Sequence, residues 1–155
     1  MNKFCFVVAI SVGAWALVPS IGTAEKETKF GDTAFLAYEG PQDWPTAESA
    51  QVIKDYAVPI YIGLPPKKYT VLGRIYDPRT SGVGVVGRAF AEGLFSEKDR
   101  KRDCARQAQF RSGDAVLVTN DEKLIKAFNL SKEDLEKTTP LFEHKDKITV
   151  AIKFQ

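Results

Sequence analysis

The hydrophobic and polar positions of this chain form an apolar start, several short β-type runs and a longer helical pattern. Residues 4–18 (FCFVVAISVGAWALV) contain no charged side chain. β-Branched, aromatic and apolar runs then predict strands at 33–38, 50–53, 59–62, 69–76, 114–119 and 148–154. The run at 114–119 is nearly all apolar, as in a strand buried on both faces, whereas 148–154 alternates and predicts a half-buried antiparallel strand.

Between the fourth and fifth of these strands, the apolar residues recur at helical spacing. The pattern predicts a helix from about Val86 to Arg111, with a potential break around 93–96 and with Gly113 as its C-cap glycine. Asn120 is expected to cap a short helix over 121–128, and Ser131 with Asp134 forms a capping box for a second one over 132–137.

This order of elements predicts an α+β fold. We expect a small mixed sheet with one main helix in a strand-helix-strand core, followed by short C-terminal helices and a C-terminal antiparallel strand. Pro59 is expected at a strand start or a sheet edge, and Gly73 predicts a β-bulge or a close backbone approach within the fourth strand.

The apolar start has the order of a secretory signal. Lys3 precedes the uncharged run, Pro19 ends it, and small residues at 22–24 precede Glu25. A membrane-spanning helix needs about 20 apolar residues, so we interpret residues 1–24 as a cleaved signal peptide. Residues 25–155 are then a single domain, with 25–32 expected to be frayed. The predicted location is periplasmic or secreted, with no transmembrane span after signal removal.

The net charge and the number of cysteines limit the kinds of partner and of covalent crosslink that we expect. The chain is 44% hydrophobic and 27% charged, which is a globular composition. Its net charge of +2 falls to +1 without Lys3, which argues against a dedicated binder of polyanions and so against nucleic acid as a partner. Cys5 belongs to the predicted signal, so Cys104 has no intrachain disulfide partner, and we expect it in the core.

Two segments, YTVLGRI at 69–75 and SGDAVLV at 112–118, carry a family resemblance. They resemble small bacterial envelope domains in which a strand of this type leads through a helix to a second strand. The Rcs stress sensor and the YbjQ-like heavy-metal-binding family share that layout. The resemblance implies the strand-helix-strand fold of these domains and a location in the cell envelope. Gly113 meets Asp114 without the family's intervening alanine, and one mature cysteine cannot form the Rcs sensor's disulfides, so no functional residue is carried over.

Glycines at 82, 84 and 87 form a G-x-G-x-x-G pattern between a strand and a helix, where a dinucleotide site would lie. The loop from Tyr76 to Gly82 is longer than the tight turn of that site, and the expected acidic residue lies too far along the chain. We therefore interpret Gly82, Gly84 and Gly87 as a flexible loop or as small residues for helix packing, with contact to an anion or a partner as the alternative.

The segment 97–111 has six basic and three acidic side chains. This excess favours either a solvated helix face with supporting ion pairs or a contact surface for an acidic partner. As the candidate contact we take Arg100, Lys101 and Arg102, together with the glycine loop.

Catalytic and metal signals are weak. His144 is the one histidine and lies in a polar stretch, which makes neither a triad nor a zinc site. We therefore expect no cofactor, no resident metal and no catalytic residues. The leading hypothesis is a non-enzymatic exported domain that binds another envelope component, either a protein or an anionic surface. The alternatives are a small carboxylate-based hydrolase and a protein that binds a metal or a small ligand.

Overall fold

The computed structural model describes residues 30, 31, 33–78, 97–137, 141, 142 and 146–155. Its strands are β1 (Ala34–Ala37), β2 (Gln51–Ile53), β3 (Ile60–Ile62), β4 (Tyr69–Tyr76), β5 (Ala115–Thr119) and β6 (Ile148–Phe154), and its helices are α1 (Glu97–Phe110), α2 (Glu122–Ala127) and α3 (Lys132–Lys137). The predicted signal peptide, the glycine loop, the predicted first part of the long helix and His144 lie outside these residues.

The six strands form one mixed sheet in the order β1-β4-β6-β5-β3-β2. β3 and β5 pair in parallel, and the other neighbours are antiparallel. β6 lies between β4 and β5, so the strand-helix-strand unit of β4, α1 and β5 is split by the C-terminal strand. The predicted α+β fold, with one main helix and a C-terminal antiparallel strand, is confirmed.

Hydrophobic clusters cover both faces of this sheet. On one face, which we call the α1 face, Val116, Val118 and Ala151 pack with Cys104, Ala105 and Ala108 of α1. On the other, the α2 face, Leu117, Val150 and Ile152 pack with Leu124 and Ile125 of α2 and Leu135 of α3. Successive strand residues point to opposite faces, which explains why all of β5 is buried.

The prediction that β6 is half-buried is wrong. Residues 148–152 are all buried, and exposure begins only at Lys153. The alternation of Thr149 and Ala151 with larger side chains suggested a solvated face. Instead, Thr149 is 5% exposed and Ala151 belongs to the cluster below α1, because a central strand with helices on both faces has no solvated side.

β4 contains the predicted irregularity at Gly73. Val71 opposes Ile152 and Gly73 opposes Ala151, so Leu72 is one extra residue on β4. The bulge changes the face to which the alternating residues point: Val71 packs on the α2 face, whereas Ile75 packs on the α1 face. A β-carbon on Gly73 would overlap the Leu36 carbonyl oxygen and the Phe35 ring.

The helix ends differ by one residue from two predictions. The left-handed residue after α1 is Ser112, with φ of 59°, and Gly113 donates its N–H to the Ala108 carbonyl at 2.8 Å. Position 113 needs glycine because of close packing and not because of a left-handed conformation: a β-carbon there would lie 2.9 Å from the Ala108 carbonyl oxygen. The N-cap of α2 is Asp121 rather than Asn120, and its carboxylate accepts from Leu124 N at 3.0 Å. The capping box of Ser131 and Asp134 is confirmed.

No helix within the described ranges is long and apolar enough to cross a membrane.

Candidate functional site

Helix α1 turns a small-residue face to the sheet and a basic face to solvent. Cys104, Ala105 and Ala108 are fully buried, and their small side chains let the helix lie close to β5 and β6. Lys98, Arg102 and Arg106 follow one another at four-residue spacing, so they form a stripe along one side of the helix. All three side chains belong to exposed residues.

This stripe forms one wall of a cleft. Asp55, Tyr56 and Ala57, from the connection between β2 and β3, form the other wall, and the cleft has a volume of about 310 Å³. Three cationic side chains therefore face one carboxylate, and Tyr56 adds a half-buried aromatic ring. We call this the cationic cleft.

Arg102 already has acidic neighbours. Its Nη1 lies 3.0 Å from Asp99 Oδ1, and its Nε lies 3.6 Å from Asp103 Oδ1. The Arg102 and Asp99 side chains are 48% and 43% exposed, and an exposed ion pair of this kind contributes about 0–1 kcal/mol. The Asp103 side chain is only 16% exposed.

Only some of the residues predicted from the sequence as a partner contact line the cationic cleft. Arg102 lines the cleft, and it is joined by Lys98 and Arg106 from the same basic segment. Arg100 and Lys101 precede buried Cys104 and Ala105 by one turn, so they leave the helix on its sheet side and are half-buried. Gly82, Gly84 and Gly87 lie outside the described residues. The sequence does not predict Tyr56 as a lining residue, because no local pattern connects a loop tyrosine with a helix about forty residues later.

A second cleft, of about 340 Å³, lies where β4 begins and β6 ends. It is lined by Gln42, Asp43, Trp44, Lys68, Tyr69 and Gln155. Trp44 and Tyr69 pack with the hydrophobic cluster of the α2 face, so this cleft and the cationic cleft belong to opposite faces of the sheet. We call it the Trp44 cleft.

Gln42 organises the floor of the Trp44 cleft by pairing with the backbone of β4. Val71 N donates to Gln42 Oε1 at 2.7 Å, and Gln42 Nε2 donates to the Val71 carbonyl at 3.0 Å. The side-chain amide thereby continues the β-ladder beyond the end of β1. The same Oε1 accepts from Trp44 Nε1 at 2.7 Å.

Tyr69 and Cys104 are ionisable groups within the two hydrophobic clusters. Burial raises the pKa of the Tyr69 phenol, and the Asp121 carboxylate adds to this shift. Burial likewise raises the pKa of the Cys104 thiol, with a further contribution from Asp103 and an opposing one from Arg100. The expectation that Cys104 is a core residue is confirmed, since its exposure is 0%. A buried neutral thiol is a poor nucleophile.

Carboxylate placement bears on the hydrolase alternative. The cationic cleft has Asp55 as its one acidic lining residue, and the Trp44 cleft has Asp43. Glycosidase chemistry needs two carboxyl groups flanking the bond that is cleaved, and neither described cleft supplies such a pair. Within the described ranges, no three His, Cys, Asp or Glu side chains are grouped as a metal site would require.

The chain matches no protein-family model, no curated protein and no solved structure.

Proposed function

We propose that this protein is a non-enzymatic exported domain whose cationic cleft holds an anionic group of another envelope component. The observation that carries the proposal is the stripe of Lys98, Arg102 and Arg106 along one wall of a cleft whose other wall has a single acid. Cationic side chains at a concave surface concentrate the field on an incoming anion.

Two features of the sequence support a location in the cell envelope. Residues 1–24 have the order of a secretory signal, and the segments at 69–75 and 112–118 resemble small bacterial envelope domains. The proposed location is therefore periplasmic or secreted. Without a carboxylate pair in either described cleft, binding is favoured over hydrolysis.

Vesicle binding tests the cleft directly. The protein is mixed with phosphatidylglycerol vesicles and with phosphatidylcholine vesicles, and the bound fraction is measured by co-sedimentation. The test variant is Lys98→Gln/Arg102→Gln/Arg106→Gln. The matched control is Lys67→Gln/Lys126→Gln/Lys132→Gln, which removes three exposed positive charges elsewhere. The apolar run at 4–18 can bind both kinds of vesicle, so the quantity compared among the proteins is the difference in binding between anionic and neutral vesicles.

We expect the test variant to lose roughly 100-fold in affinity for the anionic vesicles, because each cation near such a surface contributes about 1 kcal/mol. The control should retain most of its binding, and binding should weaken at high salt, where exposed charges are screened. If the partner is an acidic protein, the test variant should lose it in pull-downs while the control keeps it. Equal binding by both variants in both assays would overturn the proposal.

A further inference from the structure

The Trp44 cleft has a chemistry different from that of the cationic cleft. Its lining includes one acid, Asp43, which pairs with Lys123 of α2, and one base, Lys68. The remaining lining residues are two glutamines and two aromatic residues. A surface of this kind favours an uncharged ligand that has both hydrogen-bonding groups and an apolar face.

Trp44 is held in place on several sides. Its indole N–H donates to Gln42 Oε1, and its ring lies 5.3 Å from the ring of Tyr38, tilted by 58°. Lys123 of α2 lies 6.0 Å from the centre of the indole. A fixed aromatic side chain loses little conformational entropy when a ligand packs against it.

The loop that carries Trp44 is itself tethered at three points. Gln42 is bound to the backbone of β4, and the Tyr69 hydroxyl donates to the Pro45 carbonyl at 3.1 Å. Lys123 Nζ donates to the Asp43 carbonyl and lies 3.0 Å from its Oδ2. The walls of the cleft are therefore formed before any ligand arrives, as is usual for small-molecule sites.

Hydrogen-bonding capacity remains around this aromatic residue. Gln42 Nε2 has two N–H groups, of which one bonds to Val71. Lys68 and Gln155 are exposed at the rim, where an ammonium and an amide offer donors and an acceptor. Gln155 is placed there by its backbone, since its N–H donates to the Lys68 carbonyl at 3.1 Å.

We infer that the Trp44 cleft is a binding site for an uncharged saccharide. A pyranose ring has hydroxyls that suit the amide and charged side chains, and a C–H face that suits an indole. A volume of about 340 Å³ is at the small end of ligand sites, which fits one or two sugar rings. The inference does not depend on the cationic cleft, which lies on the other face of the sheet.

Tryptophan fluorescence gives a direct readout. Of the two tryptophans of the chain, Trp15 lies in the predicted signal peptide, so Trp44 is the reporter after signal removal, and Trp15→Phe makes it the reporter in the full chain as well. The probes are maltose, cellobiose and N,N′-diacetylchitobiose, each titrated to about 50 mM. We expect a saturable change in emission with at least one of them, with a dissociation constant of about 1 mM or lower.

Rim variants identify the site. Lys68→Ala and Gln155→Ala should each weaken the response about fivefold, the effect of losing one hydrogen bond. Gln51→Ala, at an exposed position on edge strand β2, is the matched control and should bind as the parent does. The Lys98→Gln/Arg102→Gln/Arg106→Gln variant should also bind the sugar normally, which separates this test from that of the cationic cleft.

Two results would overturn the inference. One is the lack of a saturable response to all three disaccharides by a parent protein with intact far-UV circular dichroism. The other is a response that both rim variants leave unchanged, because the sugar would then bind elsewhere. The rim variants keep their backbone hydrogen bonds, so the test does not depend on a variant that alters Trp44 itself.

Discussion

Ser112 shows how one residue ends the main helix. Its φ of 59° lies in the left-handed region, and the bonds from Ser112 N to Gln109 O and from Gly113 N to Ala108 O form a Schellman motif. The same pair of bonds ends α2, where Asn129 has φ of 54°. Asparagine tolerates this conformation better than serine does, so the strained end is that of α1.

Replacing Ser112 with glycine should therefore stabilise the protein. The left-handed conformation costs a residue with a β-carbon roughly 1–2 kcal/mol, and glycine loses about 0.5–1 kcal/mol more backbone entropy on folding. We expect Ser112→Gly to raise the free energy of unfolding by about 0.5–1 kcal/mol in a urea titration. Asn129→Gly should give a smaller gain. A variant less stable than the parent would contradict this account of the helix end.

Strand β4 shows how an element can serve both faces of a sheet. Its odd-numbered residues from Tyr69 to Ile75 are all buried, which by simple alternation would place them on one face. The extra residue at Leu72 divides them between the two hydrophobic clusters. The bulge therefore lets a single strand contribute Tyr69 and Val71 to one cluster and Ile75 to the other.

Gly73 permits this bulge because β1 lies against it. A β-carbon would overlap the Leu36 carbonyl oxygen, a backbone atom that cannot move without breaking the β1–β4 pairing. We expect Gly73→Ala to lower the free energy of unfolding by about 1–3 kcal/mol, the usual cost of overpacking. The Phe35 ring also packs against the cluster of the α1 face and against Arg111, so Gly73→Ala is compared in the parent and in a Phe35→Ala background. We expect the same loss of stability in both, because the Leu36 carbonyl oxygen is present in both. If urea titrations show that Gly73→Ala costs nothing in the Phe35→Ala background, the ring alone imposes the glycine.

Sequence patterns predicted most elements but not how they surround the sites. Local composition located β4 at its observed bounds, and the capping box of Ser131 and Asp134 is a short-range signal. The burial of β6 depends on neighbours far away in sequence, so alternation alone misplaced it. Tyr56 and Trp44 line the two candidate clefts only because their loops meet α1 and the ends of β4 and β6. No periodic pattern records such contacts.

At the scale of the whole molecule, the described residues form one sheet with a hydrophobic cluster and a cleft on each face. The cationic cleft adjoins the cluster below α1, and the Trp44 cleft adjoins the cluster below α2. The two proposed ligands would therefore not compete for space. The central strands β5 and β6 are shared by both clusters, so a loss of packing on one face weakens the support of both clefts.

Each cluster also contains one acid that folding keeps protonated. Cys104 lies in one and Tyr69 in the other, with exposures of 0% and 2%. Burial raises both pKa values above the ordinary 9.0 of a thiol and 10.0 of a phenol. An acid with a raised folded pKa stabilises the protein fully below its unfolded pKa, and that stabilisation is lost as the pH rises above it.

Stability should consequently fall as the pH rises above about 9. At pH 10 the thiol alone accounts for about 1.4 kcal/mol, the free energy of one pKa unit, and the phenol adds to this at higher pH. Urea titrations at pH 7, 9, 10 and 10.5 measure the slope for the parent, Cys104→Ala and Tyr69→Phe. At pH 7, Cys104→Ala is less stable than the parent because it loses packing in the core, and Tyr69→Phe is less stable because it loses the hydrogen bond to the Pro45 carbonyl. Each should nevertheless lose less stability with pH than the parent, since its unfolded state no longer gains from ionising that group. Parallel curves for all three proteins would show that neither core acid governs alkaline unfolding.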